Sequence, residues 1–305
     1  MIAEQQLKQI LARALPTHRL VSFEQVKGGL RNTIYRLHVD GWQDALALRV
    51  YSQSHSTCQK EIELHRLVSG VIPVPEIVYA DPVDDDFGPH ILMRWMPGVP
   101  YRHIKSSGNA QEIAEASHSI GAMLARLRRV AFPRIAGGVH SVPVFIESCL
   151  NSAALQQRLE SHHREGLRKF VRDRARQLSD LTEEPHLVHA DFSSRNILLD
   201  RVAGRWTVTG VIDWEGAFSG CQLYDVGSIL RYEWRSQPRM EPHFSNGYRE
   251  SGGVLPGNWR ELARAVDLVD LCKGLTHPDL PAGAACEIAQ LVMDTVEGHE
   301  SLLLS

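Results

Sequence analysis

The stretch His189-Ala190-Asp191-Phe192-Ser193-Ser194-Arg195-Asn196, followed by Val211-Ile212-Asp213-Trp214-Glu215, decides how the rest of the chain is read. Asp191 and Asn196 share a loop between two short apolar runs, Leu187–His189 and Ile197–Leu199, so both side chains can turn toward one point. Asp213 follows another apolar run, Thr207–Ile212, at a separation that suits neighbouring strands joined by a hairpin. Two carboxylates and an amide oxygen at a strand-end cleft are hard donors of the kind Mg²⁺ takes with phosphates and water. A carboxylate beside such a metal can orient an attacking hydroxyl and accept its proton. A polar turn in which Asp and Asn cap the backbone accounts for the same residues. The motif alone leaves both readings open.

Outward from this stretch the chain changes character once. Residues 3–14 form an amphipathic pattern that ends before Pro16. Short apolar segments at Leu20–Val26, Thr33–Val39, Ala45–Tyr51 and His90–Trp95 suit strands, and residues 56–68, free of Gly and Pro, suit a helix. After Pro97-Gly98, Ile113, Ala116, Ile120, Leu124 and Leu127 recur at helical spacing, and residues 144–182 are helix-like in composition. Helical patterns return from Leu223 onward. The pattern predicts a small α+β lobe, then a larger, mainly helical lobe with a small β insert, joined near Arg94–Gly98.

Composition excludes several classes. The 305 residues are 43% hydrophobic and 23% charged, with a net charge of −3, which is globular and gives no basic field for nucleic acid. Cysteines 58, 149, 221, 272 and 286 lie far apart without a CxxC pair, as expected in a reducing, cytoplasmic setting. The N-terminus lacks a basic segment followed by an apolar one, so no secretory signal is expected. No apolar run approaches the roughly 18 residues of a membrane span. Neither GxxxxGK[ST], GxSxG nor HExxH occurs, and His162-His163 reads as a solvated pair.

HADFSSRN and VIDWEGAF resemble the catalytic loop and metal-binding segment of the aminoglycoside phosphotransferase and choline kinase-like families, relatives of protein kinases. The resemblance runs from about residue 20 to about residue 235. It implies a bilobal α+β fold, with residues 1–96 as a nucleotide-binding lobe including the hinge. Residues 97–305 would form the catalytic and substrate-binding helical lobe. It implies Asp191 as catalytic base and Asn196 and Asp213 as Mg²⁺ ligands, with His189 shaping the backbone. Asp225, in Leu-Tyr-Asp-Val-Gly, would brace the catalytic loop.

The resemblance also assigns the nucleotide contacts. Lys27–Thr33, an ordinary hairpin turn on its own, becomes a glycine-containing nucleotide loop with Gly28, Gly29 and Asn32. Arg49, otherwise a charge on a strand's outer face, stands where the family usually has Lys, and its forked donors need not repeat the contact of Lys. Glu61 rather than Glu63 would pair with it. The Arg94 carbonyl and the Met96 amide would meet the adenine edge. Glu215 is the first acidic residue to test for acceptor contact.

The implied activity is transfer of the γ-phosphoryl group of ATP, or GTP, to a hydroxyl of a small molecule, with Mg²⁺ as cofactor. Aminoglycosides lead, with antibiotic resistance as the consequence. Choline, homoserine, macrolides and sugars are other acceptors, and a catalytically silent nucleotide-binding module is the rival from a different class. Asp213 is followed by Trp-Glu and no protein-kinase activation segment is recognisable, which weighs against a protein substrate. Neither nucleic acid nor membrane is expected as a partner.

Overall fold

The computed structural model describes residues 3–26, 32–52, 55–84, 86–130, 132, 141–181 and 186–298. In chain order the elements begin α1 (Glu4–Ala14), β1 (Leu20–Val26), β2 (Asn32–Val39), β3 (Leu46–Tyr51), α2 (His55–Val68), β4 (Ile77–Asp81) and β5 (His90–Arg94). The short β6 (Val99–Pro100), α3 (Tyr101–Ser107) and α4 (Ala110–Leu127) follow. Next come α5 (Val142–Leu150), α6 (Ala153–Arg158), α7 (Ser161–Asp173), α8 (Ala175–Leu181) and β7 (His186–Val188). The remainder is β8 (Ile197–Val202), β9 (Arg205–Val211), β10 (Phe218–Gly220), α9 (Leu223–Leu230), α10 (His243–Glu250), α11 (Trp259–Thr276) and α12 (Ala282–Glu297). The fold is mixed α+β, with a small N-terminal sheet and a larger, mainly helical part.

Two compact units are present, residues 1–106 with 195–216, and residues 107–194 with 217–305. The joint at 96/97 drawn from the sequence falls inside the first unit. The β8–β9 hairpin groups there because β6 pairs with β8, Val99 opposite Leu199, and the Val211 amide donates to Pro73 O at 2.9 Å. Gly98, at φ 102°, permits the approach, since a Cβ there would lie 2.5 Å from the Leu199 carbonyl oxygen.

In the first unit the sheet order is β1-β2-β3-β5-β4, antiparallel throughout. Alternation on β2 turns Tyr35, Leu37 and Val39 to the side where Leu7, Ile10 and Leu11 of α1 are buried with Leu46 and Leu48. Leu7, Ile10 and Leu11 occupy one helical face, and each burial contributes roughly 1.5–3 kcal/mol. The opposite face of β3 carries Arg49 and Tyr51, and Tyr51 packs with Cys58 and Ile62 of α2. The edge strand β4 was not anticipated. Its Ile77-Val78-Tyr79 run follows Pro73 and Pro75, which mask a strand pattern when read locally.

The second unit is built on helices. The helix-like span 144–182 is four helices with breaks near Asn151-Ser152, Leu159-Glu160 and Arg174. Their apolar faces share one cluster with α11 and α12, including Ile146, Leu167, Leu178, Val266 and Leu291. Asn109 caps α4 by accepting the Glu112 amide at 3.1 Å. Helices α4 and α10 touch backbone to backbone. A Cβ on Gly121 would lie 2.0 Å from Phe244 O, and one on Gly247 would lie 2.1 Å from His118 O. Among the described residues, no helix is long and apolar enough to cross a membrane.

Candidate active site

In the first unit, one buried cation gathers several of the candidate side chains. Arg49 is central on β3, opposite Ile34 of β2 and Ile91 of β5, and is 5% exposed. Its Nη1 donates to Glu61 Oε1 at 3.1 Å, and its Nη2 donates to Asp213 Oδ1 at 2.8 Å and Glu215 Oε2 at 2.7 Å. Burial alone would lower the Arg49 pKa, but the neighbouring carboxylates, Glu61 foremost, raise it above its ordinary value. The cation is therefore permanent. Burial would likewise raise the Glu61 pKa, yet His65, Arg49 and the Tyr51 hydroxyl together hold it below the ordinary value.

Helix α2 selects Glu61 by its periodicity. Cys58, Glu61, Ile62, Leu64, His65 and Val68 are buried, a stripe that turns inward. Glu63 points elsewhere, accepting from Gln59 Nε2 at 2.9 Å. Glu61 thus takes the pairing expected from the sequence, and Tyr51, two residues after Arg49 on β3, donates to its second oxygen.

The hairpin supplies the oxygen donors. The Ile212 amide donates to Asn196 O at 3.0 Å, and Ile197 pairs with Val211, so Asn196 and Asp213 stand at the same end of β8 and β9. Asp213 adopts φ 71°, sparsely populated for a non-glycine residue and typical of functional sites. Arg49 engages one of its oxygens. A carboxylate and an amide oxygen at one strand end are hard donors, a set that fits Mg²⁺.

Glu215 turns toward the start of β2 and toward α2. Besides Arg49, Asn32 Nδ2 donates to its Oε2 at 2.5 Å, and Lys60 Nζ donates to its main-chain oxygen at 3.3 Å. Asn32 opens β2; Gly28 and Gly29 lie outside the described residues. At the end of β5 the Arg94 amide donates to Glu76 O on the β4 side and the Trp95 amide to Ala45 O on the β3 side. Among the described residues, no hydrogen bond engages the Met96 amide. The Arg94 guanidinium lies over Trp42 at 4.8 Å and meets Glu76 at 2.6 Å, so its side chain is spent on the surface.

In the second unit, Asp191 is an exposed residue of the loop after β7. Its amide donates to His189 Nδ1 at 3.3 Å, and His189 is fully buried, edge-on to Phe192. Asp225 of α9, also fully buried, accepts the His189 amide at 2.9 Å and the Ala190 amide at 3.0 Å. Burial pushes its pKa up to about 7 against those two bonds. The bracing role expected of Asp225 and the backbone role expected of His189 are both what the loop displays.

Residues 22–264 match the phosphotransferase enzyme family (APH). The chain belongs to that family. A stretch of 56 residues is 48% identical to hygromycin-B 4-O-kinase of Escherichia coli, spanning 18% of this chain and 15% of that relative. Among solved structures, a thermostable aminoglycoside phosphotransferase APH(4)-Ia in ternary complex with AMP-PNP and hygromycin B superposes with a TM-score of 0.68. The two are 19% identical, over 97% of this chain and 98% of that one. A GDP complex of an aminoglycoside 2'-phosphotransferase IIIa gives 0.73 at 16% identity, over 99% and 100%. The kinase-like fold inferred for this family member is thereby established.

Three contributors escaped sequence reasoning. Tyr51 and His65 flank Glu61, the latter with Nε2 3.7 Å from Oε1, within charge range but beyond a hydrogen bond. Their signals were present, Tyr51 at i+2 from Arg49 on one strand face and His65 at i+4 from Glu61 on one helix face. Lys60 had no such signal, because its contact is to a main-chain oxygen 155 residues away.

Proposed function

We propose that the protein is a small-molecule kinase that transfers the γ-phosphoryl group of ATP, or GTP, to an acceptor hydroxyl. An aminoglycoside is the leading acceptor. The observation that carries the reading is the buried Arg49 held between Glu61 and Asp213, with Asn196 beside Asp213 on one hairpin. Nothing in a purely structural hairpin calls for that set. Residues 1–96 would serve the nucleotide and residues 97–305 catalysis and acceptor binding. The five free thiols, four of them buried, support a cytoplasmic setting.

The chemistry follows from the groups. Asp191 orients the acceptor hydroxyl and takes its proton as the oxygen attacks the γ-phosphorus. The bond to the bridging oxygen breaks, and the nucleoside diphosphate leaves with that electron pair. Asn196 and Asp213 would hold Mg²⁺, which supplies charge neutralisation at the phosphate oxygens. Arg49 meets phosphate as a fixed cation, and the Met96 amide and Arg94 carbonyl face the base. Catalysis on this reading is positioning and electrostatic stabilisation.

The test is an acceptor screen with ATP and GTP spanning aminoglycosides, macrolides, choline, homoserine and sugars, following nucleoside diphosphate release. Turnover of an aminoglycoside is expected. Turnover confined to another acceptor would replace the substrate and keep the kinase. Tight nucleotide binding without any turnover would replace the enzyme by a silent nucleotide-binding module.

A further inference from the structure

We propose that Glu215 is a stand-in for a nucleotide phosphate: its carboxylate occupies donors of Arg49 and Asn32 that phosphate needs, so it lowers nucleotide affinity and is displaced on binding. The inference rests on the reading of Arg49 and Asn32 as nucleotide contacts.

The donors of Arg49 can be counted. A guanidinium offers five N–H groups in one plane. Nη1 gives one of its two hydrogens to Glu61, while both hydrogens of Nη2 are taken by Asp213 and Glu215. Nε is buried and finds no hydrogen-bond partner among the described residues. An incoming phosphate oxygen that meets Nη2 must therefore replace a carboxylate. A single atom, Glu215 Oε2, collects both Arg49 Nη2 at 2.7 Å and Asn32 Nδ2 at 2.5 Å. One anionic oxygen bridging a guanidinium and an amide donor is the arrangement a phosphate oxygen would adopt.

Of the three carboxylates, Glu215 is the one whose departure leaves both the Glu61 pair and the proposed Mg²⁺ ligand Asp213 in place. Glu61 is 1% exposed and also bound by Tyr51, and Asp213 is a short side chain on left-handed backbone. Glu215 has one more rotatable bond than Asp213. Charge points the same way. Three carboxylates face one guanidinium, so an arriving polyanion is repelled until one of them withdraws.

The experiment is equilibrium binding of ADP and GDP to the full chain, with and without added Mg²⁺. Glu215→Gln keeps the shape and removes the charge. Without Mg²⁺, where nucleotide charge is least neutralised, it should bind on the order of tenfold more tightly than the wild type. Glu215→Asp, which retracts the carboxylate, should move in the same direction and serves if the glutamine variant fails to fold. In an Arg49→Lys background, which lacks the fork, the gain from Glu215→Gln should shrink to about twofold or less, the coupling a merely structural role would not produce. Equal or weaker binding by a folded Glu215 variant, while the wild type binds, overturns the role of Glu215 alone. No binding of either nucleotide by wild type and variants overturns the nucleotide reading as well.

Discussion

The Asp225 carboxylate accepts the main-chain amide of Ala190 at 3.0 Å, and Ala190 is held there at φ 69°. A non-glycine residue in that region costs on the order of 1 kcal/mol and persists only where its surroundings over-determine it. Asp225 does so from a fully buried position, taking the His189 amide as well. The residue before Asp191 is thus set by a carboxylate 35 positions away.

Asp225→Asn should destabilise the fold and slow phosphoryl transfer, because an amide nitrogen replaces one acceptor and leaves a buried N–H unsatisfied. The cost is about 1–3 kcal/mol. A pH series isolates the charge. Burial raises this carboxyl from 3.8 to about 7, so between those values the folded state holds the extra proton. Stability from this group is full below the lower value and is lost as pH rises through about 7. The wild-type stability relative to Asp225→Asn should fall from pH 4 to pH 7 in denaturant titrations. A difference flat across that range would refute the assignment.

Asp191→Asn should nearly abolish turnover while leaving nucleotide affinity largely intact, since its proposed task is the hydroxyl. Single-turnover assays beside nucleotide titration separate the two. Near-wild-type turnover by a folded variant would remove Asp191 from its role.

Asp213→Ala should weaken Mg²⁺-dependent nucleotide binding as well as turnover, and Asn196→Ala should act in the same direction but less, a neutral ligand being lost. The Mg²⁺ concentration giving half-maximal rate is the readout. Unchanged Mg²⁺ dependence in both variants would contradict the metal site.

Gly247→Ala should destabilise the second unit by about 1–3 kcal/mol. The added methyl meets the His118 carbonyl at 2.1 Å, a backbone atom that moves only with α4. Thermal unfolding of the variant measures it. Gly70→Ala, in the turn after α2 with nothing within 4 Å of the added carbon, is the control and should be near neutral or slightly stabilising.

The sequence by itself determined the class of fold and pointed to the residues of the candidate site. Alternation on β2 and β3, helical spacing on α2 and α4, and the two acidic motifs are local signals, carried within a few residues of each position. Helix geometry turns Glu61 and Glu63 in different directions, and the family resemblance selected Glu61 of the two. Tertiary structure decided which chain segments share a unit, and what Glu215 touches. Residues 195–216 join the N-terminal residues through β6–β8 pairing and the Pro73 bond, contacts between segments 100 residues or more apart. Glu215, read along the chain, is simply the acid beside Asp213; in space its carboxylate meets Asn32 and Arg49, 183 and 166 residues away. Hydrogen bonds and ion pairs depend on distance in space, and sequence spacing specifies that distance only within one helix or one strand.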